Sequence, residues 1–146
     1  MRRAVVGAVG AAALVLPNVD AWAAATAVKA PPKKKVVTVT RSITGAPAQA
    51  GRWGDVQVTI VIKRTTTTNL ATKRSTVVRK IASVSVPVYP DHTDRSIFIN
   101  RQALPLLIQE TLQAQSASID LVSGATDTSS AFQQSLQAAI LSSKGF

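Results

Sequence analysis

Val56-Gln-Val-Thr-Ile-Val-Ile-Lys63 puts Val56, Val58, Ile60 and Ile62 on one face and Gln57, Thr59 and Lys63 on the other. A period of two with one apolar face is the pattern of a strand covered on one side. Upstream, Val36-Val-Thr-Val-Thr-Arg-Ser-Ile43 is a β-branched run closed by Thr44-Gly-Ala-Pro47, and it reads as a second strand. Downstream, a third spans about Thr76 to Val88, where Val84, Val86 and Val88 alternate with Ser83 and Ser85. The polar segment Thr65–Arg74 between them reads as a hairpin connection. The period then changes. Leu104, Leu107, Ile108 and Leu112 form one helical stripe, and Pro105 is expected in its first turn, because proline in a helix interior removes a hydrogen bond. Ile119 to Val122 reads as a short edge strand. A last helix is expected from about Thr128 to Ser143, burying Phe132, Leu136, Ala139 and Ile140. Strands followed by helices predict an α+β domain: an antiparallel sheet of three or more strands with two C-terminal helices packed on one face.

That domain occupies residues 36–146 of the 146-residue chain. Ahead of it, Arg2 and Arg3 precede an apolar run from Ala4 to Leu16, and Ala21-Trp22-Ala23 offers a small-residue cleavage site. Residues 1–23 therefore read as a secretory signal peptide, the alternative being an uncleaved signal anchor. Residues 24–35, ending in Ala30-Pro-Pro-Lys-Lys-Lys35, read as a stiff basic linker. Cleaved signal or uncleaved anchor, the segment is expected to place the domain outside the cytoplasm: periplasm, cell envelope or secreted, and membrane-anchored if the signal stays uncleaved.

The chain has no cysteine and one histidine, His92, in the polar run Pro90–Arg95. Thiol chemistry and cysteine-ligated metal centres are excluded, and no metal or haem motif is visible. The formal net charge is +10. Export and the scarcity of aromatic residues for base stacking argue against nucleic acid. The basic excess instead points to anionic lipids, cell-wall polymers or an acidic redox partner, or to ordinary solvated strand faces.

The chemistry-bearing stretch is Asp120-Leu-Val-Ser-Gly-Ala-Thr126, followed by Asp127-Thr-Ser129 and the last helix. A threonine hydroxyl is a poor nucleophile without an activating group, and no His, Lys or Cys stands near Thr126 in the sequence. Modification of Thr126 would need an external catalyst. Gly124 and Ala125 carry almost no side chain and would let a second protein approach the backbone. A helix starting near Thr128 would aim free amides at a phosphate held on Thr126. The plainer alternative is a turn and helix cap made by Thr126, Thr128 and Ser129.

The spacing D-x-x-S-G-A-T-x-T-S resembles the FMN-attachment motif of the FMN-binding domain family, which includes one component of the sodium-pumping NADH:quinone reductase and many small exported flavoproteins. The resemblance extends over residues 36 to 143 through Arg52-Trp-Gly-Asp-Val-Gln-Val58, Tyr89-Pro90, Ser96, Ile99-Asn100, Ala103-Leu-Pro105 and Ser129 to Leu136. It implies FMN joined through its phosphate to the Thr126 hydroxyl by a flavin transferase. The cofactor-binding residues it implies are Asp120, Ser123, Gly124, Ala125, Thr126, Thr128 and Ser129. Trp53 would stack on the flavin or plug the end of the sheet, and Asp120 would meet the transferase or cap the turn. Two departures stand out: residues 65–75 are less glycine-rich than the usual tight turn, and position 127, often aromatic in such motifs, is Asp.

No acid, base and nucleophile set for substrate turnover is visible, so an electron carrier is expected before a substrate-specific enzyme. A membrane reductase or another redox partner would exchange its electrons. The alternatives are a basic envelope-associated binding module without flavin, and an oxidoreductase holding FMN noncovalently.

Overall fold

The computed structural model describes residues 33–146. The expected signal peptide and all of the expected linker before Lys33 lie outside the described residues. Within them, Lys34–Phe146 form one compact unit. Strands β1 (Lys34–Thr44), β2 (Ala48–Gln49), β3 (Asp55–Asn69) and β4 (Ser75–Val88) are followed by helices α1 (Asp94–Ala114) and α2 (Thr126–Ser142), and a 3-10 turn spans Ser143–Gly145. All pairing is antiparallel, and β3 pairs with each of the other three strands. The fold is α+β, as the change of period predicts.

The predicted inner face of β3 is the core. Val56, Val58 and Ile60 are fully buried, and Ile62 nearly so. Ile81 and Val84 of β4 extend the apolar layer, and Leu104 and Leu107 of α1 with Phe132, Leu136 and Ala139 of α2 close it. Ile140 is only half-buried at its margin. Two tight joints lock helix to sheet. Ser135 Oγ accepts the Val58 amide at 2.9 Å, while an added Cβ on Gly45 would stand 2.0 Å from the Ser135 carbonyl oxygen. At the far end of α1, the Gln115 side chain accepts from the Ile81 amide at 2.7 Å and donates to the Ile81 carbonyl, replacing strand partners where β4 shifts register.

Four local expectations are corrected. Thr65–Asn69 is not connection but strand, paired residue by residue with β1 and β4, and only Leu70 to Arg74 turn. Threonine is β-branched and suits a strand whatever its polarity, and cross-strand pairs such as Thr68–Ser75 at 3.0 Å join the hydroxyls. Helix α1 begins eleven residues before Pro105, with Thr93 as N-cap accepting the Ser96 amide at 3.1 Å. Pro105 sits mid-helix on the exposed side, where water can serve the freed carbonyl of exposed Arg101; burial of Leu104 and Leu107 offsets the lost bond. Residues 119–122 are not a strand. Their backbone groups go to side chains: the Val122 amide to Ser129 Oγ, the Asp120 amide to Glu110 Oε2, and the Ile119 carbonyl to Gln133 Nε2. Finally, α2 starts at Thr126, two residues before the expected Thr128.

Candidate functional site

Three chain segments converge beside the start of β3. The first is the loop Ala50–Gly54, closed by Ala50 N–H to Gly54 O at 2.7 Å and Trp53 N–H to Ala50 O at 3.1 Å. It turns through left-handed glycines at Gly51 (φ +57°) and Gly54 (φ +125°), and it lifts Arg52 and Trp53 outward with the guanidinium 4.9 Å above the indole ring. The second is the first turn and a half of α1, carrying Arg95, Ser96, Ile99 and Asn100. The third is the turn into α2. Together they line a cleft of ≈ 410 Å³ whose walls include Trp53, Arg52, Arg95 and the backbone of Gly124 to Thr128. Such a volume lies within the range of small-molecule sites.

The turn into α2 explains the Ser-Gly-Ala-Thr spacing. Ala125 N–H bonds Val122 O at 3.0 Å, closing a β-turn across Ser123 and Gly124. Gly124 has φ +82°, the value a type II turn requires at its third residue, which glycine alone adopts without strain. A Cβ there would meet nothing within 4 Å, so Gly124 answers to backbone conformation and leaves open space above the turn. Ala125 is the N-cap residue and supplies no side-chain cap. The amides of Thr126, Asp127 and Thr128 therefore have no intrahelical acceptor, the first helical bond being Ser129 N–H to Ala125 O at 2.9 Å. Thr126 is exposed at the first helical position. Its neighbour Asp127 also lines the cleft, its carboxylate oxygen reaching across to the glycine loop, 3.3 Å from where a Cβ on Gly51 would stand.

The structure brings Trp53, Gly124, Ala125, Thr126 and Thr128 to one cleft. It leaves Asp120, Ser123 and Ser129 outside the lining. Ser129 is buried behind the turn, where its hydroxyl donates to Ala125 O at 2.8 Å and accepts the Val122 amide at 3.0 Å, tying the turn to the helix. Thr128 is not the cap that its sequence position suggests: it is the third helical residue and is buried. Trp53 is 38% exposed, so it walls the cleft rather than plugging the sheet. Ser96, Ile99 and Asn100 carry the resemblance without pointing to a site. Arg52 likewise carries the resemblance without pointing to a site, and Arg95 gave no signal, since two arginines forty-three positions apart carry no spacing rule.

The lining fits a phosphate-bearing planar ligand. Free helix amides and two guanidinium groups suit an anion, Trp53 and Ile99 suit an apolar ring, and the open space at Gly124 admits a substituent on Thr126. At the floor, Asn100 donates through Nδ2 to Pro90 O at 2.7 Å, and its buried Oδ1 has no partner, an acceptor held ready. No His, Lys or Cys lines the cleft, and among the described residues no group of His, Cys, Asp or Glu is placed to hold a metal ion. No curated protein matches the chain. The family model described as FMN-binding domain matches residues 51–141, from the glycine loop below Trp53 to the last turn of α2.

Proposed function

The chain belongs to the FMN-binding domain family, its cofactor is FMN, and from that premise we propose that it is an exported electron carrier whose FMN is esterified to Thr126. The observation that carries this reading is the exposed Thr126 at the first position of α2, in the cleft, beside the unfilled space over Gly124. When bound, FMN supplies redox chemistry by accepting and releasing electrons. The rest is positioning and electrostatics by this chain. The Thr126 hydroxyl oxygen would attack the phosphorus of a flavin dinucleotide: the new oxygen–phosphorus bond forms as the pyrophosphate bond breaks, the nucleoside monophosphate leaves, and the hydroxyl proton goes to a base of the flavin transferase, because the cleft holds no His, Lys or Cys to take it. The α2 amides and the guanidinium groups of Arg52 and Arg95 would hold the phosphate. A tether would keep the cofactor on a protein working outside the cell, where a dissociated flavin is lost. A membrane reductase is the expected electron donor.

Co-expression with a flavin transferase, followed by peptide mass mapping, tests this. Flavin mass should appear on the peptide bearing Thr126 and survive boiling in denaturant. Thr126→Ala should carry none while remaining folded, since the side chain is exposed. Flavin on Thr128, or none on folded wild type beside an active transferase, would refute the assignment.

A further inference from the structure

Beyond the helices the sheet runs on alone. From Thr65 toward the turn at Leu70, β1, β3 and β4 form a free three-stranded ribbon with Val36, Val78 and Leu70 each more than half exposed. Residues 33–44 and 56–88 hold ten lysines and arginines, no aspartate or glutamate, and no aromatic residue. The register sets like charges against each other: Lys63 faces Lys80, and Arg64 faces Arg79. Directly opposed like charges destabilise a sheet, so the folded ribbon holds a strain that an anionic partner would relieve. Arg64 and Arg79 have partial relief on the helix side, from the Phe146 ring at 5.5 Å and the Phe146 carbonyl at 2.7 Å. Lys63 and Lys80 are on the opposite, outer face, and both are exposed.

We infer that the outer face of this ribbon docks on an anionic lipid surface. Charge excludes a second copy, since ribbon against ribbon would bring cation to cation. A nucleic acid would find no aromatic platform. A soluble anionic polymer would satisfy the lysines but gain nothing from Val36, Val78 and Leu70, whereas a bilayer interface offers headgroups and hydrocarbon together. Lying along that surface, the ribbon sets Lys34, Lys73 and Arg74 at the tip and Lys63 with Lys80 roughly 20 Å behind, at about 3.3 Å per strand residue, with the valines between. Lys34 pairs with Asn69, so the chain enters the described domain at this tip. The cleft lies by the start of β3, about 45 Å away along the strand, and stays open when the ribbon is docked.

The chain has no cysteine, so Leu70→Cys accepts a single environment-sensitive fluorophore in the full-length protein. Its emission should shift to the blue on phosphatidylcholine vesicles containing phosphatidylglycerol and not on phosphatidylcholine alone. The same label at Gln137→Cys, on the exposed side of α2, should not shift. Lys63→Gln with Lys80→Gln should weaken vesicle binding about 30-fold, a loss that docking through residues 4–16 would not show. Val36→Thr with Val78→Thr keeps the strand and should weaken it further, with circular dichroism verifying the fold of each variant. Equal shifts on neutral vesicles, equal shifts at both labels, or displacement by polyglutamate with no effect of the valine changes would overturn the inference. The last result would make a soluble polyanion the partner.

Discussion

Replacing Gly45 by alanine tests the joint that seats α2 on the sheet. Gly45 follows β1 and donates its amide to Val58 O at 2.8 Å, and Val58 in turn donates to Ser135 Oγ at 2.9 Å. A Cβ on Gly45 would stand 2.0 Å from the Ser135 carbonyl oxygen, against an ordinary contact above 3.4 Å. The obstacle is helix backbone, so no rotamer relieves it, and α2 must move away by more than an ångström. Overpacking of this kind costs about 1–3 kcal/mol. The movement also breaks the Ser135–Val58 bond and leaves a buried amide unpaired, a further loss of about 1–3 kcal/mol. A total near 4 kcal/mol should lower the melting temperature by about 15–25 °C in a domain of this size. Ser135→Ala loses only the bond and should cost about 1–3 kcal/mol. The double variant should fall short of the sum, because the displaced helix has already given up that bond. Urea titration followed by far-ultraviolet circular dichroism measures all three. A Gly45→Ala change within about 0.5 kcal/mol of wild type, or strict additivity in the cycle, would show that helix and strand are not locked there.

Leu136→Ala empties a fully buried site and should cost about 2–5 kcal/mol, while Gln137→Ala, one position on and exposed, should be near neutral by the same titration. Gly124→Ala meets no atom yet forces a side chain to φ +82°, so stability should drop by about 1–2 kcal/mol and flavin loading, read by mass, should fall with it. Thr128→Ala should leave the flavin on Thr126 in peptide mapping, because Thr128, though it lines the cleft, is nearly buried while Thr126 is exposed. Intact mass of the exported protein should begin near residue 24, and recovery of only a full-length, membrane-bound chain would indicate an anchor instead.

The sequence alone determined the fold class and the turn at the centre of the candidate cleft, because both rest on local spacing. Val56, Val58, Ile60 and Ile62 can share a face only in a strand, Phe132, Leu136 and Ala139 only in a helix, and those faces became the core. The Ser-Gly-Ala-Thr order likewise encodes a turn with one left-handed residue followed by a helix start, a device completed within five residues. What the tertiary structure decided depends on partners far along the chain. Polarity suggested a loop at Thr65–Asn69, but pairing on both sides made it strand. Pro105 suggested a helix start, but burial of its neighbours carried α1 through it. Apolarity suggested a strand at Ile119–Val122, but Ser129, Glu110 and Gln133 took its backbone groups first. The walls of the cleft were equally hidden. Arg52, Arg95 and Thr126 become neighbours only when β3, α1 and α2 meet, since a hydrogen bond or a charge acts over a few ångströms of space, whatever its separation along the chain.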